Sequence, residues 1–292
     1  MNGPKNVAGP VVRGPDFWGR DVETRHLWRL LERGSVLLTG PRRHGKSSLM
    51  YGVLDGPPKG FSVFLLDVEW IETPQEFLTT MTAELLAIDR IRSLVRGVRS
   101  MPSMFRRWVA GVIDEVGVGL GNVGELKIRL RQGLVDAESW PELAGQVPGT
   151  LRTLSDRCVL ILDEFPIMVS SMLEQDEAVG LRFLRWFRTF RQSPGTETLT
   201  FLLGGSTNIE PRLEYLAAEA LLGDLQRLRL MPFDRPRALA FVRALLAEER
   251  ADCESGVPEE IVAACGSGVP YYLQVIVSEC LAVTRRTGGK LL

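Results

Sequence analysis

A glycine-rich loop that ends in lysine and serine carries the strongest chemical signal in the chain. Its pattern is G-x-x-x-x-G-K-S, and it comes directly after the apolar run 36–39. A buried strand that turns into a helix through glycines aims backbone N–H groups and the helix dipole at one point. The lysine of such a loop reaches the β- and γ-phosphates, and the serine hydroxyl ligates Mg²⁺. The residues predicted to bind a nucleoside triphosphate here are Gly40, Pro41, Arg42, Arg43, His44, Gly45, Lys46, Ser47 and Ser48.

Two acidic residues provide the second half of this chemistry. The apolar run 159–162 ends in Asp163 and Glu164. Ligands bind at the carboxyl edge of a parallel sheet, so acids at the end of a central strand are well placed to meet them. We expect Asp163 to hold Mg²⁺ together with Ser47, and Glu164 to act as the general base that polarises the attacking water. The alternative is a strand that ends in a solvated turn.

A polar side chain near the γ-phosphate is expected from the next strand. The apolar run 199–203 leads into Gly204, Gly205 and Ser206, and we expect this strand to lie between the two strands already named. Ser206 is the first candidate for a γ-phosphate sensor, followed by Thr207 and Asn208. A plain glycine-rich turn is the alternative. The candidate catalytic residues are thus Lys46, Glu164 and Ser206.

Two groups of arginines either form a solvated surface or have a binding role. Arg182, Arg185, Arg188 and Arg191 recur at every third position of one predicted helix. They form a solvated face, or else Arg188 or Arg191 reaches the γ-phosphate of a neighbouring subunit. The stretch 89–107 is locally basic, which indicates either solvation or contact with nucleic acid or an acidic partner.

Composition limits the function classes. The chain has 292 residues, 24% of them charged, and a net charge of −1, so no global basic field recruits nucleic acid. Four cysteines lack C-x-x-C spacing, and two histidines do not suffice for a histidine metal site. No apolar run resembles a signal peptide or a membrane span. These features predict a cytoplasmic protein without membrane contact.

Strands that alternate with helical patterns predict an α/β fold with a parallel sheet. The predicted strands are 35–39, 61–68, 158–162, 199–203 and 225–230, and the helices include 21–33, 47–54, 74–88, 235–250, 258–265 and 270–285. Three parts follow: a flexible N-terminal segment 1–15, a nucleotide-binding domain 16–232 and a small helical domain 233–292. An insertion at about 89–146 interrupts the second part. It contains an apolar helix at 101–116, which we expect to dock on the core or on a partner, and a hairpin at 116–130.

Six sequence motifs together resemble one family. They are Phe17-Trp18-Gly19-Arg20 with Glu23, GPRRHGKSSLM at 40–50, LILDEFP at 160–166, FLLGGS at 201–206, LRLMPF at 228–233 and GSGVPYYL at 266–273. Residues 16–285 are similar to the archaeal-type ATPases of the STAND branch of AAA+ proteins. The resemblance implies a parallel-sheet P-loop NTPase core with ASCE strand order, followed by an all-helical lid that closes on ATP.

The same resemblance implies further binding residues. Phe17, Trp18, Gly19 and Arg20 are expected near the adenine, and Gly268, Val269 and Pro270 are expected to face the base and ribose. The chain departs from the family in two ways. Residues 269–272 offer no lid arginine for the γ-phosphate, and the sequence stops soon after the lid, where STAND proteins usually continue into a winged helix or sensor repeats. The chain is thus expected to be either a minimal switch that acts through partners or a fragment. DNA binding is therefore a weaker expectation than binding of ATP or ADP.

Two functions remain open at this point. In the first, the chain is a slow ATPase in which the nucleotide state moves the lid and so controls a protein partner or self-association. In the second, it is an ATP-binding interaction or nucleic-acid-associated module, and hydrolysis is incidental. The Asp163–Glu164 pair favours water over an acceptor hydroxyl, which argues against a phosphotransferase. No N-K-x-D pattern marks guanine specificity.

Overall fold

A computed structural model of the chain describes residues 3–87, 110, 140–151, 157–194, 196–206 and 209–287. Some of the sequence predictions lie outside these residues. They are the basic stretch 89–107, the apolar helix at 101–116 apart from Ala110, the hairpin at 116–130, and the alternative sensors Thr207 and Asn208.

The described strands form one parallel sheet in the order β2-β3-β4-β1-β5. They are β1 (Val36–Thr39), β2 (Phe61–Asp67), β3 (Arg157–Asp163), β4 (Leu199–Gly204) and β5 (Gln226–Arg229). β4 lies between β3 and β1, with Leu202 beside Ile161 and Leu203 beside Leu37. The predicted insertion of this strand is confirmed. Since β1, β3 and β4 are parallel, their carboxyl ends meet at one edge of the sheet, where ligands bind in such folds.

Helices cover both faces of the sheet. One face carries α1 (Asp21–Leu31) and α2 (Lys46–Asp55), and the other carries α3 (Pro74–Ala87), α4 (Trp140–Leu151), α5 (Phe165–Gln175), α6 (Glu177–Gln192) and α7 (Glu210–Tyr215). Val159 and Ile161 pack with the first set, while Leu160 and Leu162 pack with the second. Side chains alternate between the faces of a strand, so a strand covered on both sides needs a continuous apolar run.

Beyond β5 the described chain is helical. The helices α8 (Arg235–Glu248), α9 (Val257–Cys265) and α10 (Pro270–Thr287) share an apolar cluster distinct from the clusters on the sheet. Trp18 joins this cluster, with its ring centroid 5.3 Å from that of Phe241. The expected helical C-terminal region is confirmed, and we call α8–α10 the lid. No helix of the described ranges is long and apolar enough to span a membrane.

The passage from the sheet into the lid depends on Gly268. Its φ is +62°, and its carbonyl accepts a hydrogen bond from the Phe233 N–H at 2.9 Å. A Cβ at this position would lie 2.2 Å from the Phe233 carbonyl oxygen. Backbone atoms cannot move aside as a flexible side chain can, so only glycine fits this junction.

We therefore expect Gly268→Ala to destabilise the protein more than Gly266→Ala, by about 1–3 kcal/mol, the cost typical of overpacking. The two glycines form a matched pair because Gly266 has a φ of +67° but nothing within 4 Å of a Cβ. Both variants place an alanine in a left-handed backbone conformation, and only Gly268→Ala adds a clash. Urea denaturation of both variants measures the difference. Equal losses of unfolding free energy would contradict the close approach to Phe233.

An N-terminal strap, residues 3–13, runs from the lid to α2. The Gly3 N–H donates to the Glu248 carboxylate at 2.7 Å, and the Asn6 side chain donates to the Ser278 hydroxyl at 2.9 Å. Further along, the Val12 N–H donates to the Ser48 hydroxyl at 3.2 Å. The strap thus contacts both the lid and the phosphate-loop helix, while its predicted flexibility stays a prediction.

Candidate nucleotide site

The phosphate loop connects β1 with α2 and depends on its two glycines. Gly40 has a φ of +144°, and a Cβ there would lie 2.8 Å from the Leu230 carbonyl oxygen. Gly45 has a φ of +87° and is the residue before the first turn of α2, so the N–H groups of that turn face the loop. A Cβ on Gly45 would meet nothing within 4 Å. The loop therefore encloses open space at the start of a helix.

Lys46 is held inside this loop. Its ammonium group donates to the carbonyl oxygens of Gly40 at 2.7 Å and Pro41 at 2.8 Å, and only 7% of the residue is exposed. Burial lowers the pKa of Lys46, and the carboxylates of Glu164 and Asp163 oppose that shift. The described partners within hydrogen-bond distance are neutral carbonyls, so a phosphate would give this cation a better acceptor.

Ser47 and Asp163 meet at the carboxyl edge of the sheet. The Ser47 hydroxyl interacts with the Asp163 carboxylate, and the Glu164 N–H donates a hydrogen bond to that carboxylate at 3.1 Å. Burial is the main cause that raises the pKa of Asp163, and the Ser47 hydroxyl opposes it. Nearby charges on Glu164 and Asp67 raise the pKa further. A hydroxyl and a carboxylate that meet in this way suit Mg²⁺, which prefers oxygen ligands and completes its shell with phosphates and water.

The raised pKa gives a pH-dependent prediction for Asp163→Asn. Above the carboxyl's ordinary pKa of 3.8, the ionised group costs folding free energy because the folded state disfavours the charge. Asparagine removes that cost and keeps an acceptor for Ser47. The variant should thus melt at a higher temperature than the wild type at pH 7. The gain should shrink as the pH falls through the raised pKa toward 3.8. Thermal melts in EDTA without nucleotide measure it, and a gain that grows toward acid pH would contradict the shift.

Glu164 contacts the predicted sensor. One oxygen of its carboxylate accepts hydrogen bonds from the Ser206 N–H at 2.9 Å and the Ser206 hydroxyl at 3.2 Å. Glu164 also has a φ of +59°, a left-handed conformation that is strained for a residue with a side chain. A Cβ on Gly205 would lie 3.0 Å from the same carboxylate oxygen and 2.6 Å from Pro166. The turn after β4 is therefore shaped around Glu164, a contact that the sequence did not reveal.

One cavity of about 330 Å³ brings these residues together. Its lining at the phosphate end includes Lys46, Ser47, Glu164 and Ser206. Further walls come from strap residues 9–12, from Glu69 and Ile167, and from the lid, which contributes Pro270, Tyr271 and Gln274. The Arg43 guanidinium lies over the Tyr271 ring, 4.2 Å from its centroid, and so connects the phosphate loop with the lid. The sequence analysis missed strap residues 9–12, Glu69, Ile167 and Gln274. The sequence could have indicated Gln274, because it lies one helical turn beyond Pro270, a predicted nucleotide-binding residue.

The other predicted binding residues have different surroundings. Phe17 packs beside Gly52 on α2, and Trp18 belongs to the lid cluster. A Cβ added to Gly19 would lie 3.4 Å from the Phe233 ring. The Arg20 side chain donates to the carbonyl oxygen of His44 at 3.1 Å. None of Phe17, Trp18, Gly19 and Arg20 lines the cavity described here, so these four residues support the loop and the lid, and their predicted place near adenine stays a prediction.

The remaining loop residues divide into supporting and cavity-lining positions. The buried His44 ring holds the Arg42 carbonyl at 2.9 Å through Nδ1. Arg42 and Ser48 line the cavity, and the Ser48 hydroxyl also holds the strap. The loop is therefore fixed from both sides before any ligand binds.

The arginines of α6 are not equivalent. Arg191 donates to the Asp224 carboxylate at 2.7 Å and to the Leu221 carbonyl at 3.0 Å, and its side chain is 2% exposed. In this conformation Arg191 is fixed within its own chain and cannot extend toward a neighbouring subunit. Arg182 and Arg185 are exposed, as a solvated face requires, and Arg188 is half-buried. Of the two candidates, Arg188 therefore remains the one predicted to reach the γ-phosphate of a neighbouring subunit.

Comparison with known proteins gives structural matches only. No family model matches the chain, and no curated protein does. The Walker-type ATPase PABY2304 of Pyrococcus abyssi is 20% identical with a TM-score of 0.61, over 97% of this chain and 72% of that one. The Aeropyrum pernix ORC2 protein, solved as ADPNP–ADP complexes, is 13% identical with a TM-score of 0.53, over 99% of this chain and 69% of that one.

The sheet order, the helical lid and these matches agree. The chain has the fold of AAA+ P-loop ATPases. Similarity at such low identity shows the fold and no more. The Aeropyrum pernix ORC1 protein in complex with DNA is 18% identical over 92% of this chain and 60% of that one. Its TM-score of 0.48 is too low to bear on DNA binding here.

Proposed function

We propose that the chain is an ATPase that binds ATP with Mg²⁺ in the cavity between the phosphate loop and the lid. One observation carries the proposal: Lys46, Ser47, Glu164 and Ser206 line a single cavity, and Asp163 pairs with Ser47 as Glu164 pairs with Ser206. Each pair comes from elements far apart in sequence. Because the sheet brings three separate loops to one place, chance proximity is a poor explanation.

Each residue has a distinct role in this proposal. Lys46 exchanges its two carbonyl partners for phosphate oxygens, and the loop N–H groups hold the remaining phosphate charge. Ser47 and Asp163 would hold Mg²⁺, whose charge neutralises the phosphates. Glu164 orients the attacking water and accepts its proton. Ser206 holds Glu164 before the nucleotide arrives and is placed to respond to the γ-phosphate.

Release of phosphate from ATP tests the proposed activity. The wild-type protein should release phosphate with ATP and Mg²⁺, and EDTA should abolish the release. A protein that binds ATP under these conditions and releases no phosphate would support the alternative, an interaction module in which hydrolysis is incidental.

We further propose that the nucleotide state moves the lid, as in the STAND branch of AAA+ proteins that the motifs resemble. Three contacts join the lid to the site: Arg43 with Tyr271, Pro270 at the cavity wall, and the strap that spans α2 and α10. A ligand that touches all three has different affinities for the open and closed arrangements, which is the condition for coupling. The described start of α10 offers no arginine, so coupling should be modest, on the order of 1–3 kcal/mol.

Hydrogen exchange measures this coupling directly. We expect a non-hydrolysable ATP analogue with Mg²⁺ to slow exchange in residues 268–276 more than ADP does, because only the analogue engages Ser206 through a γ-phosphate. Exchange in α1, which lies away from the cavity, is the internal control. Equal protection by both nucleotides would show a structural ligand and contradict the switch. A protein partner or self-association, through which such a switch acts, is part of the same proposal.

A further inference from the structure

Gln274 is a buried polar residue in the lid wall of the cavity. It is 8% exposed and lines the cavity beside Pro270 and Tyr271. Within the described residues, its side-chain amide has no hydrogen-bond partner. The amide atoms are not fully buried and open onto the cavity, so the amide is free to exchange hydrogen bonds with a ligand bound there.

The position of Gln274 relative to the phosphate end defines what it meets. Lys46 and Ser47 fix the phosphates at one end of the cavity. The Val12 N–H donates a hydrogen bond to the hydroxyl of Ser48, the residue after Ser47. This bond holds the strap beside the phosphate end of the cavity. The strap and α10 contribute the apolar Val11, Val12 and Pro270 to the lining, which Arg42, Arg43, Glu69 and Ile167 complete. Apolar side chains beside an amide suit the base of a nucleotide.

We propose that the Gln274 amide recognises the base of the bound nucleotide and selects adenine. This inference rests on the proposed function, since it assumes that the phosphates occupy the loop. A glutamine amide offers one donor group and one acceptor, which matches the N7 acceptor and the N6 amino donor of adenine. Guanine and hypoxanthine present two acceptors on that edge, N7 and O6, and leave the amide oxygen unpaired. A site with a buried polar group left unpaired rejects the wrong ligand strongly.

Binding of ADP, GDP and inosine diphosphate, each with Mg²⁺, tests the proposal by calorimetric titration. Inosine diphosphate differs from ADP at the base edge in question, with O6 in place of the amino group. We expect the wild-type protein to bind ADP about tenfold or more tightly than either of the others. In Gln274→Met, which keeps the length of the side chain without its amide, ADP affinity should fall to the level of the other two.

The outcomes separate this inference from the proposed function. A wild-type protein that binds no ADP overturns both. A wild-type protein that binds ADP, with a Gln274→Met variant that keeps the full preference for ADP, overturns only the role of Gln274. Equal losses for all three nucleotides would also overturn it, since Gln274 would then merely shape the cavity. Tyr272→Phe, an exposed position on the same helix outside the cavity lining, should leave all three affinities unchanged. A wild-type protein that binds ADP and inosine diphosphate equally overturns the role of Gln274 whether or not Gln274→Met folds.

Discussion

Replacement of Glu164 by glutamine is expected to lower ATP turnover by about 10² or more, the scale of a lost general base. ATP affinity should stay unchanged. Glutamine has the same length and keeps a carbonyl oxygen that can accept the hydrogen bonds from Ser206, so the turn after β4 should be preserved. It cannot accept the proton of the attacking water. Steady-state phosphate release measures turnover, and titration with an ATP analogue measures affinity.

Glu69→Gln is the matched comparison for this variant. Glu69 also lines the cavity, but no described hydrogen bond joins it to Ser206, and it does not follow the central strand β3. A loss of turnover confined to Glu164→Gln supports a positioned base. Equal losses in both variants would show that the acidic charge of the cavity, and not the position of Glu164, supports turnover. Turnover of Glu164→Gln at the wild-type rate would favour the interaction module.

The second large effect is expected from Lys46→Met, which should lower ATP affinity at least tenfold. A charge-assisted hydrogen bond contributes about 1.5–3 kcal/mol, so one lost contact to the γ-phosphate is worth about that factor or more. Methionine fills much of the volume of the lysine stem, so the loop should keep its shape. A fluorescent ATP analogue reports the affinity. Lys59→Met is the control because Lys59 is exposed and outside the cavity lining. Unchanged affinity in Lys46→Met would mean that the loop does not bind the phosphates.

Local patterns predicted the parts of the site that are contiguous in sequence. The phosphate loop follows β1 and opens α2 because glycine spacing and apolar runs are local features. The insertion of β4 between β3 and β1 was also predicted, because a γ-phosphate sensor at the end of the apolar run 199–203 must lie beside the other two loops. The pairing of Ser47 with Asp163 followed from the known needs of Mg²⁺. These predictions required chemistry and short-range patterns alone.

Contacts between distant segments could not be predicted in the same way. The hydrogen bonds of Glu164 with Ser206 depend on the left-handed backbone at one residue and on the missing Cβ at Gly205. The strap looked unstructured because its prolines and glycines carry no periodic pattern, yet its backbone holds Ser48. Arg191 belonged to a regular arginine stripe, and only the position of Asp224 distinguishes it from its neighbours. Tertiary placement decides each of these cases.

A single-turnover experiment tests the central claim most directly. Radiolabelled ATP with Mg²⁺ is mixed with an excess of wild-type protein or of Glu164→Gln, and bound ATP and ADP are separated over time. We expect both proteins to retain ATP at first and the wild type to convert it to ADP and phosphate. Glu164→Gln should retain ATP for about 10² times as long as the wild type does. Retention without conversion in the wild type, or equal conversion in both proteins, would contradict an ATPase site built on Lys46, Asp163 and Glu164.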